Sequence, residues 1–305
     1  MKKYLPILAI FFAAILWSFD GFLRQELYNI PSLLLVTLEH VAGALIFLPF
    51  LLRGKKEIST IDQRSWSSII WISVFGGLLG LFFYTKALSY INYIDLSVVV
   101  LLQKFQPLFA ILLAAVVLKE HITKRFLLLA AMALTGGYFV TFGLNPIASG
   151  DDKTLIAALL ALLAAFSWGS STVLGKHALK SLSFPLVTAL RLSITAVIAT
   201  VVLIGFRGLS DISQLTFTQW KIILLIVFTT GSVALFIYYY GLKHVQASHS
   251  SIYELFWPLS AVVIDWLIRG RVLSPVQFAG GIVLIASIFL LTSEQQKSDG
   301  NPIKK

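Results

Sequence analysis

The sequence predicts an all-α integral membrane protein of ten transmembrane helices, arranged as two five-helix repeats of inverted topology. Three observations predict it. Apolar residues make up 58% of the 305-residue chain and charged residues only 12%, against about half and about a quarter in a soluble globular domain. Ten apolar segments approach the ~20 residues that a helix needs to cross a ~30 Å hydrocarbon core. The second half also repeats the first. Leu81-Phe82-Phe83-Tyr84-Thr85-Lys86-Ala87-Leu88 aligns with Leu235-Phe236-Ile237-Tyr238-Tyr239-Tyr240-Gly241-Leu242, and Pro107-Leu108-Phe109-Ala110 aligns with Pro258-Leu259-Ser260-Ala261. An odd number of spans per copy forces the second copy to enter the membrane upside down. Inverted repeats are a common construction of secondary transporters, because similar halves rock about a midplane site.

In chain order, the first repeat (residues 1–145) carries spans at about 4–22, 31–52, 67–88, 95–118 and 126–144. The first follows Met1-Lys2-Lys3 in the manner of a signal peptide, but it lacks a small-residue cleavage site and has a counterpart in the second half. It is therefore read as a span. The longest connection runs from Arg53 to Trp66, and residues 146–153 link the repeats. The second repeat (154–292) carries spans at about 154–176, 185–206, 219–242, 247–268 and 275–292. Residues 293–305 are expected to form a polar, mobile cytoplasmic tail. Gly76 and Gly80 in the third span, Gly136-Gly137 in the fifth and Gly280-Gly281 in the tenth read as small-residue seams for close helix packing.

The net charge of +10 does not mark a nucleic-acid partner, since most Lys and Arg lie in short loops, where they set membrane orientation. With the N-terminus inside, fifteen basic residues face the cytoplasm and seven the other side, leaving Lys104 and Arg191 within spans. Both termini are then cytoplasmic, and the compact loops suit a bacterial inner membrane. The chain contains no cysteine, which excludes disulfides, thiolate metal sites and Cys nucleophiles. There is no HExxH, GxSxG, Asp-rich cluster or GxxxxGK[ST] loop, so no enzyme, no cofactor, no metal and no ATP-driven pump is expected. Gly169-Ser170-Ser171 with distant His249 only imitates a Ser–His pair.

These residues resemble a known family. The five-plus-five repeats, Tyr84–Leu88 with its echo Tyr238–Leu242, and the Pro107 run ending in Leu118-Lys119-Glu120-His121-Ile122-Thr123 look like EamA-type members of the drug/metabolite transporter superfamily. The resemblance covers nearly the whole chain and implies a ten-helix carrier of amino acids, nucleotide sugars, drugs or other metabolites, with export favoured. It also implies a central cavity lined by all but the fifth and tenth helices. The chain departs from the family pattern at two places. Lys119-Glu120 and Gly270-Arg271 stand where Gly-Glu is usual. The second span offers Glu39-His40 where a basic residue is frequent, while the seventh keeps Arg191.

Charges at the bilayer centre cost at least about 2.5–3.5 kcal/mol and mark function. Lys104 lies about 14 Å into the fourth span at about 1.5 Å per residue. Beside it, Pro107 frees the Gln103 carbonyl one turn earlier. In the second copy Glu254 stands one turn before Pro258, where Gln103 stands in the first. A midplane cation and anion suit a clamp for a zwitterion such as an amino acid; a permanent Lys104–Glu254 salt bridge is the structural alternative. Glu39 and His40, in the outer half of the second span, suit a proton relay, or else His40 simply bonds a backbone carbonyl. Arg191 lies in the inner half of the seventh span, the inverted counterpart of their position. Trp17 and Trp168 align between halves, as do Tyr84 and Tyr238, and all four are candidate cavity walls. Asp20, one turn from Arg24, is a candidate vestibule residue, whereas the similar Asp265–Arg269 pair reads as structural. The expected partners are a small-molecule substrate, the lipid bilayer and a proton as candidate coupling ion; monomer and homodimer are both compatible. The competing class is a channel or structural membrane protein.

Overall fold

The computed structural model describes residues 4–90, 102–144, 152–206, 208–270 and 273–299. The start of the fourth expected span, most of the 146–153 linker and the side chains of Asp265 and Arg269 lie outside the described residues. The first half contains α1 (Leu5–Ser18), α2 (Asp20–Gln25), α3 (Ser32–Arg53), α4 (Lys55–Ile58), α5 (Gln63–Trp71), a π-helical segment (Ile72–Leu79), α6 (Gly80–Tyr90), α7 (Gln106–Val117) and α8 (Lys124–Phe142). The second contains α9 (Asp152–Leu179), α10 (Phe184–Gly205), a 3₁₀ turn (Gly208–Gln214), α11 (Phe217–Phe228), α12 (Ser232–His244), α13 (Ala247–Tyr253), α14 (Phe256–Arg269) and α15 (Pro275–Asp299).

Among the described residues, eight helical stretches are long and apolar enough to cross a membrane: Leu5–Gln25, Ser32–Arg53, Gln63–Tyr90, Lys124–Phe142, Leu155–Leu179, Phe184–Gly205, Phe217–His244 and Pro275–Ser293. The fourth and ninth expected spans are not among them. The fourth is described only from Leu102, with a turn at Lys104–Phe105 before α7. The ninth is cut by a turn at Glu254–Leu255 into α13 and α14. Each break lies within one turn of a proline, Pro107 or Pro258, which lacks the amide that would bond the preceding turn. The last helix also exceeds its expected end at residue 292. It runs on to Asp299, because Glu294, Gln295, Gln296 and Lys297 favour helix, so residues 293–299 are helical rather than a loose tail.

The packing maps onto itself when the halves are exchanged. The second span (α3) packs on the seventh (α10), and the fifth (α8) on the tenth (α15). The third (α6) packs on the sixth (α9), and the first (α1) on the eighth (α12). Backbone detail follows the same rule. The π segment at Ile72–Leu79 aligns with 226–233, where Gly231 N–H bonds Ile226 O at 2.7 Å and Ala234 N–H bonds Thr229 O at 3.1 Å, five residues back. Such wide turns cluster at functional sites. Two helix N-termini in the second half are capped by carboxylates from the first. Glu57 accepts from the Ser183 amide and, at 2.8 Å, from its hydroxyl at the start of α10. Glu120 accepts from the Ala247 amide at 2.7 Å and the Ser248 amide at 3.1 Å at the start of α13. At the start of α5, Asp62 accepts from Ser65, which holds its carboxyl below the usual range.

The glycine seams divide into two uses. A Cβ at Gly280 would lie 2.9 Å from Gly136 O and 2.8 Å from Phe139 Cβ, so the α8–α15 contact is backbone on backbone. Gly280→Val is expected to cost about 1–3 kcal/mol, read as a lowered unfolding midpoint in detergent. Gly281→Ala, where a Cβ meets nothing nearer than 3.4 Å, should leave the midpoint near wild type. The Gly76/Gly80 pair serves differently. A Cβ at Gly76 would lie 2.9 Å from an Arg191 Nη, and one at Gly80 2.7 Å from Trp168 Nε1. These glycines make room for side chains that line the central cavity.

Candidate functional site

The helix breaks and π turns meet around one cavity of about 250 Å³, a little under the ~300–1,000 Å³ usual for small-molecule pockets. All eleven residues singled out from the sequence line it: Trp17, Asp20, Glu39, His40, Tyr84, Gln103, Lys104, Trp168, Arg191, Tyr238 and Glu254. Their pairings differ in part from those expected.

Glu39 does not pair with His40. Its two oxygens accept from Arg24 Nη1 and Nη2 at 2.9 and 3.0 Å, while Arg24 Nε donates to Asp20 at 2.5 Å. Asp20 also accepts from the Thr230 hydroxyl at 2.9 Å. Arg24 is only 2% exposed, so the Asp20–Arg24 pair is the core of a buried network joining α2, α3 and the α11–α12 bend. His40 Nδ1 faces Val36 O at 2.9 Å, the backbone alternative. With Glu39 committed to Arg24, a direct Glu39–His40 relay does not form in this arrangement.

Lys104 and Glu254 share the cavity but form no ion pair. Glu254 accepts from the Tyr238 hydroxyl at 2.6 Å and from Gln106 Nε2 at 2.7 Å, with Ser250 more distant at 3.4 Å. Gln106 thus ties the break in the fourth span to the break in the ninth. Lys104 is 7% exposed and its Nζ has no hydrogen-bond partner; it lies 6.0 Å from the Trp257 ring centroid. Arg191 donates through Nη1 to the Tyr239 hydroxyl at 2.7 Å and keeps an unpartnered Nε.

The aromatic residues form two pairs, each across the halves. Trp17 meets Tyr238 at 5.2 Å between centroids, and Trp168 meets Tyr84 at 5.4 Å, tilted by 55° and 60°. Exchange of the repeats turns one pair into the other. Gln106, Tyr239 and Trp257 are site residues that the sequence did not single out. Only the position of Gln106 beside Pro107 offered a signal. Ser170 and His249 are not a catalytic pair: Ser170 accepts from Trp71 Nε1 at 2.9 Å, and His249 packs on Phe126 at 4.9 Å. No group of three or more His, Cys, Asp or Glu suited to a metal ion occurs among the described residues.

Comparison with known proteins gives a consistent picture. The profile of the EamA-like transporter family matches the chain twice, over residues 4–142 and 155–293. The chain is 40% identical to the riboflavin transporter ImpX of Fusobacterium nucleatum subsp. nucleatum, over 93% of this chain and 96% of that one. It is 23% identical to the uncharacterized transporter YoaV of Bacillus subtilis, over 94% and 96% of the two chains. A protein of known crystal structure shares the fold with a TM-score of 0.76 and 17% identity, covering 96% of this chain and 98% of that one.

Proposed function

Because this chain belongs to the EamA-like family of transmembrane transporters, we propose that it is a secondary carrier moving a small metabolite by alternating access around the central cavity. The observation that carries the reading is the cavity itself: an aromatic chamber with buried, unpartnered polar groups, built from both halves where their helices are broken or widened. Ten spans in two inverted copies, both termini cytoplasmic in a bacterial cell membrane, belong to the same proposal. The double family match and the exchange-symmetric packing support the two copies.

For the substrate, riboflavin is the first compound to test. The relative at 40% identity is named for it, and a flat, acceptor-rich ring with a polyol tail suits aromatic pairs interleaved with donors. The cavity volume is small for such a ligand, so the walls must part to admit it, as alternating access requires. A zwitterion remains the second reading, because Lys104 and Glu254 lie on one cavity. The engaged oxygens of Glu254 weigh against it. A secondary carrier runs in either direction, and the prevailing gradients set export or uptake. A proton is the coupling ion in this proposal, with Glu254 as its site.

The test uses purified protein in liposomes with labelled riboflavin and, separately, pooled labelled amino acids. Riboflavin flux should saturate and be accelerated by unlabelled riboflavin on the far side. Flux that rises linearly with concentration, without countertransport, would identify a channel and sink the carrier reading. Saturable flux of the amino-acid pool alone would establish the zwitterion instead.

A further inference from the structure

The buried side-chain hydrogen-bonding capacity left without a partner on the cavity wall is nearly all of one kind. Its three carboxylates are engaged: Asp20 and Glu39 by Arg24, and Glu254 by Tyr238 and Gln106. The buried polar atoms on its wall without a partner are Lys104 Nζ, Gln103 Nε2, Arg191 Nε and Ser171 Oγ. The three nitrogens only donate. A buried donor without an acceptor is costly, more so when charged, and such a cost persists where a ligand relieves it. An ammonium group entering this cavity would meet donors and pre-engaged carboxylates. A carbonyl oxygen or unprotonated ring nitrogen would meet unused N–H groups.

Position adds the shape of the ligand. Lys104 Nζ stands 6.0 Å from the centre of the Trp257 ring. Gln103 is its chain neighbour at the helix break, and the two tilted aromatic pairs also border the cavity. A planar ring resting on these aromatic faces would present its edge, not its face, to Lys104 and Gln103.

We infer that Lys104 and Gln103 are the specificity-determining residues of the substrate site, and that they read the acceptor-bearing edge of a planar heteroaromatic ring carrying no ammonium group. This rests on the reading of the cavity as the carrier's substrate site, and it assigns recognition to the ring rather than to a polyol tail. The pyrimidinedione edge of a flavin belongs to the class, as does that of lumichrome, which lacks the tail.

The experiment is equilibrium binding to the full-length protein in detergent, followed by flavin fluorescence quenching and by calorimetry. The probes are riboflavin, lumichrome and L-tryptophan; the variants are Lys104→Met, Lys104→Gln and Gln103→Leu. Lys104 holds no partner to strand, so Lys104→Met should keep or raise the unfolding midpoint, and Lys104→Gln supplies the comparison if it does not. Riboflavin and lumichrome should bind, and Lys104→Met should weaken both about tenfold, equivalent to about 1.4 kcal/mol, with Gln103→Leu in the same direction. L-tryptophan should not displace them. Equal affinity of wild type and all three variants would overturn the inference and leave the flavin reading standing. Binding of lumichrome but not riboflavin, weakened in Lys104→Met, would overturn the flavin reading and support the inference. Displacement of lumichrome by L-tryptophan, or no binding of either planar probe to folded wild type, would overturn the inference.

Discussion

Arg24→Met is expected to destabilise the protein by about 3–5 kcal/mol, the usual consequence of removing one partner from a buried ion pair. The guanidinium makes a two-pronged contact to Glu39 and a third to Asp20, the geometry in which arginine binds carboxylates most strongly. Without it, two carboxylates would remain side by side in a protein interior. Arg24→Lys should recover only part of the loss, because an ammonium cannot reproduce the fork. Glu39→Gln should cost less, since Asp20 still neutralises the cation. Adding Glu39→Leu to Arg24→Met should restore part of the stability, since Asp20 still lacks its cation, and a double-mutant cycle of unfolding midpoints would measure that coupling. An Arg24→Met variant within about 0.5 kcal/mol of wild type, the range of ordinary surface changes, would mean that the network holds nothing together. The network also reaches the other half through Thr230 on Asp20, so Arg24→Met should loosen the α11–α12 bend as well as α2.

Particular residues show how much of this was legible in the sequence. Depth was legible. An ionisable group within an apolar run has few places to go in a bilayer, and Lys104, Arg191, Glu39, His40 and Glu254 all reached the cavity. The prolines were legible only in part: Pro107 was read as freeing a carbonyl inside a continuous span, whereas both Pro107 and Pro258 stand within one turn of a helix break. The repeat alignment identified Trp17 with Trp168 and Tyr84 with Tyr238, but not that each tryptophan would meet the tyrosine of the other half at a steep angle. Pairing was the missing layer. Arg24 was visible as the i,i+4 neighbour of Asp20, but its bond to Glu39 spans fifteen residues and a helix turn-around. The same holds for Gln106 and Glu254, 148 positions apart. Side-chain partners across helices depend on rotation about each helix axis, which hydropathy fixes poorly in a chain that is apolar all round. The π turns were also hidden, since a wide turn of apolar residues reads like any other.

Those pairings single out Glu254 for the second prediction with a large effect. It joins three elements: the break in the ninth span where it sits, α12 through Tyr238, and the fourth-span break through Gln106. Of the three carboxylates on the cavity it alone lacks a cationic partner, since Arg24 serves the other two. Glu254 can therefore take up a proton without breaking an ion pair. Protonation of the oxygen that faces Gln106 would set a donor against that amide, so this contact must turn or open, whereas the Tyr238 hydroxyl can accept instead and donate to Thr172. A proton arriving at Glu254 is thus a reason for the two broken helices to part, which is what coupling requires. Glu254→Gln imitates the protonated state permanently. It should cost only the ~0.5–1.5 kcal/mol of one lost hydrogen bond, leaving a folded protein. In liposomes it should retain saturable exchange of substrate while losing the acceleration that an imposed pH gradient gives to wild type. That loss should be at least about tenfold, as expected for an intramembrane carboxylate in a proton path. Tyr238→Phe should fall between the two, because it removes one donor and leaves the carboxylate. Gradient-driven flux equal to wild type in Glu254→Gln would take the proton away from Glu254, and the carboxylate would then be a brace between helix breaks.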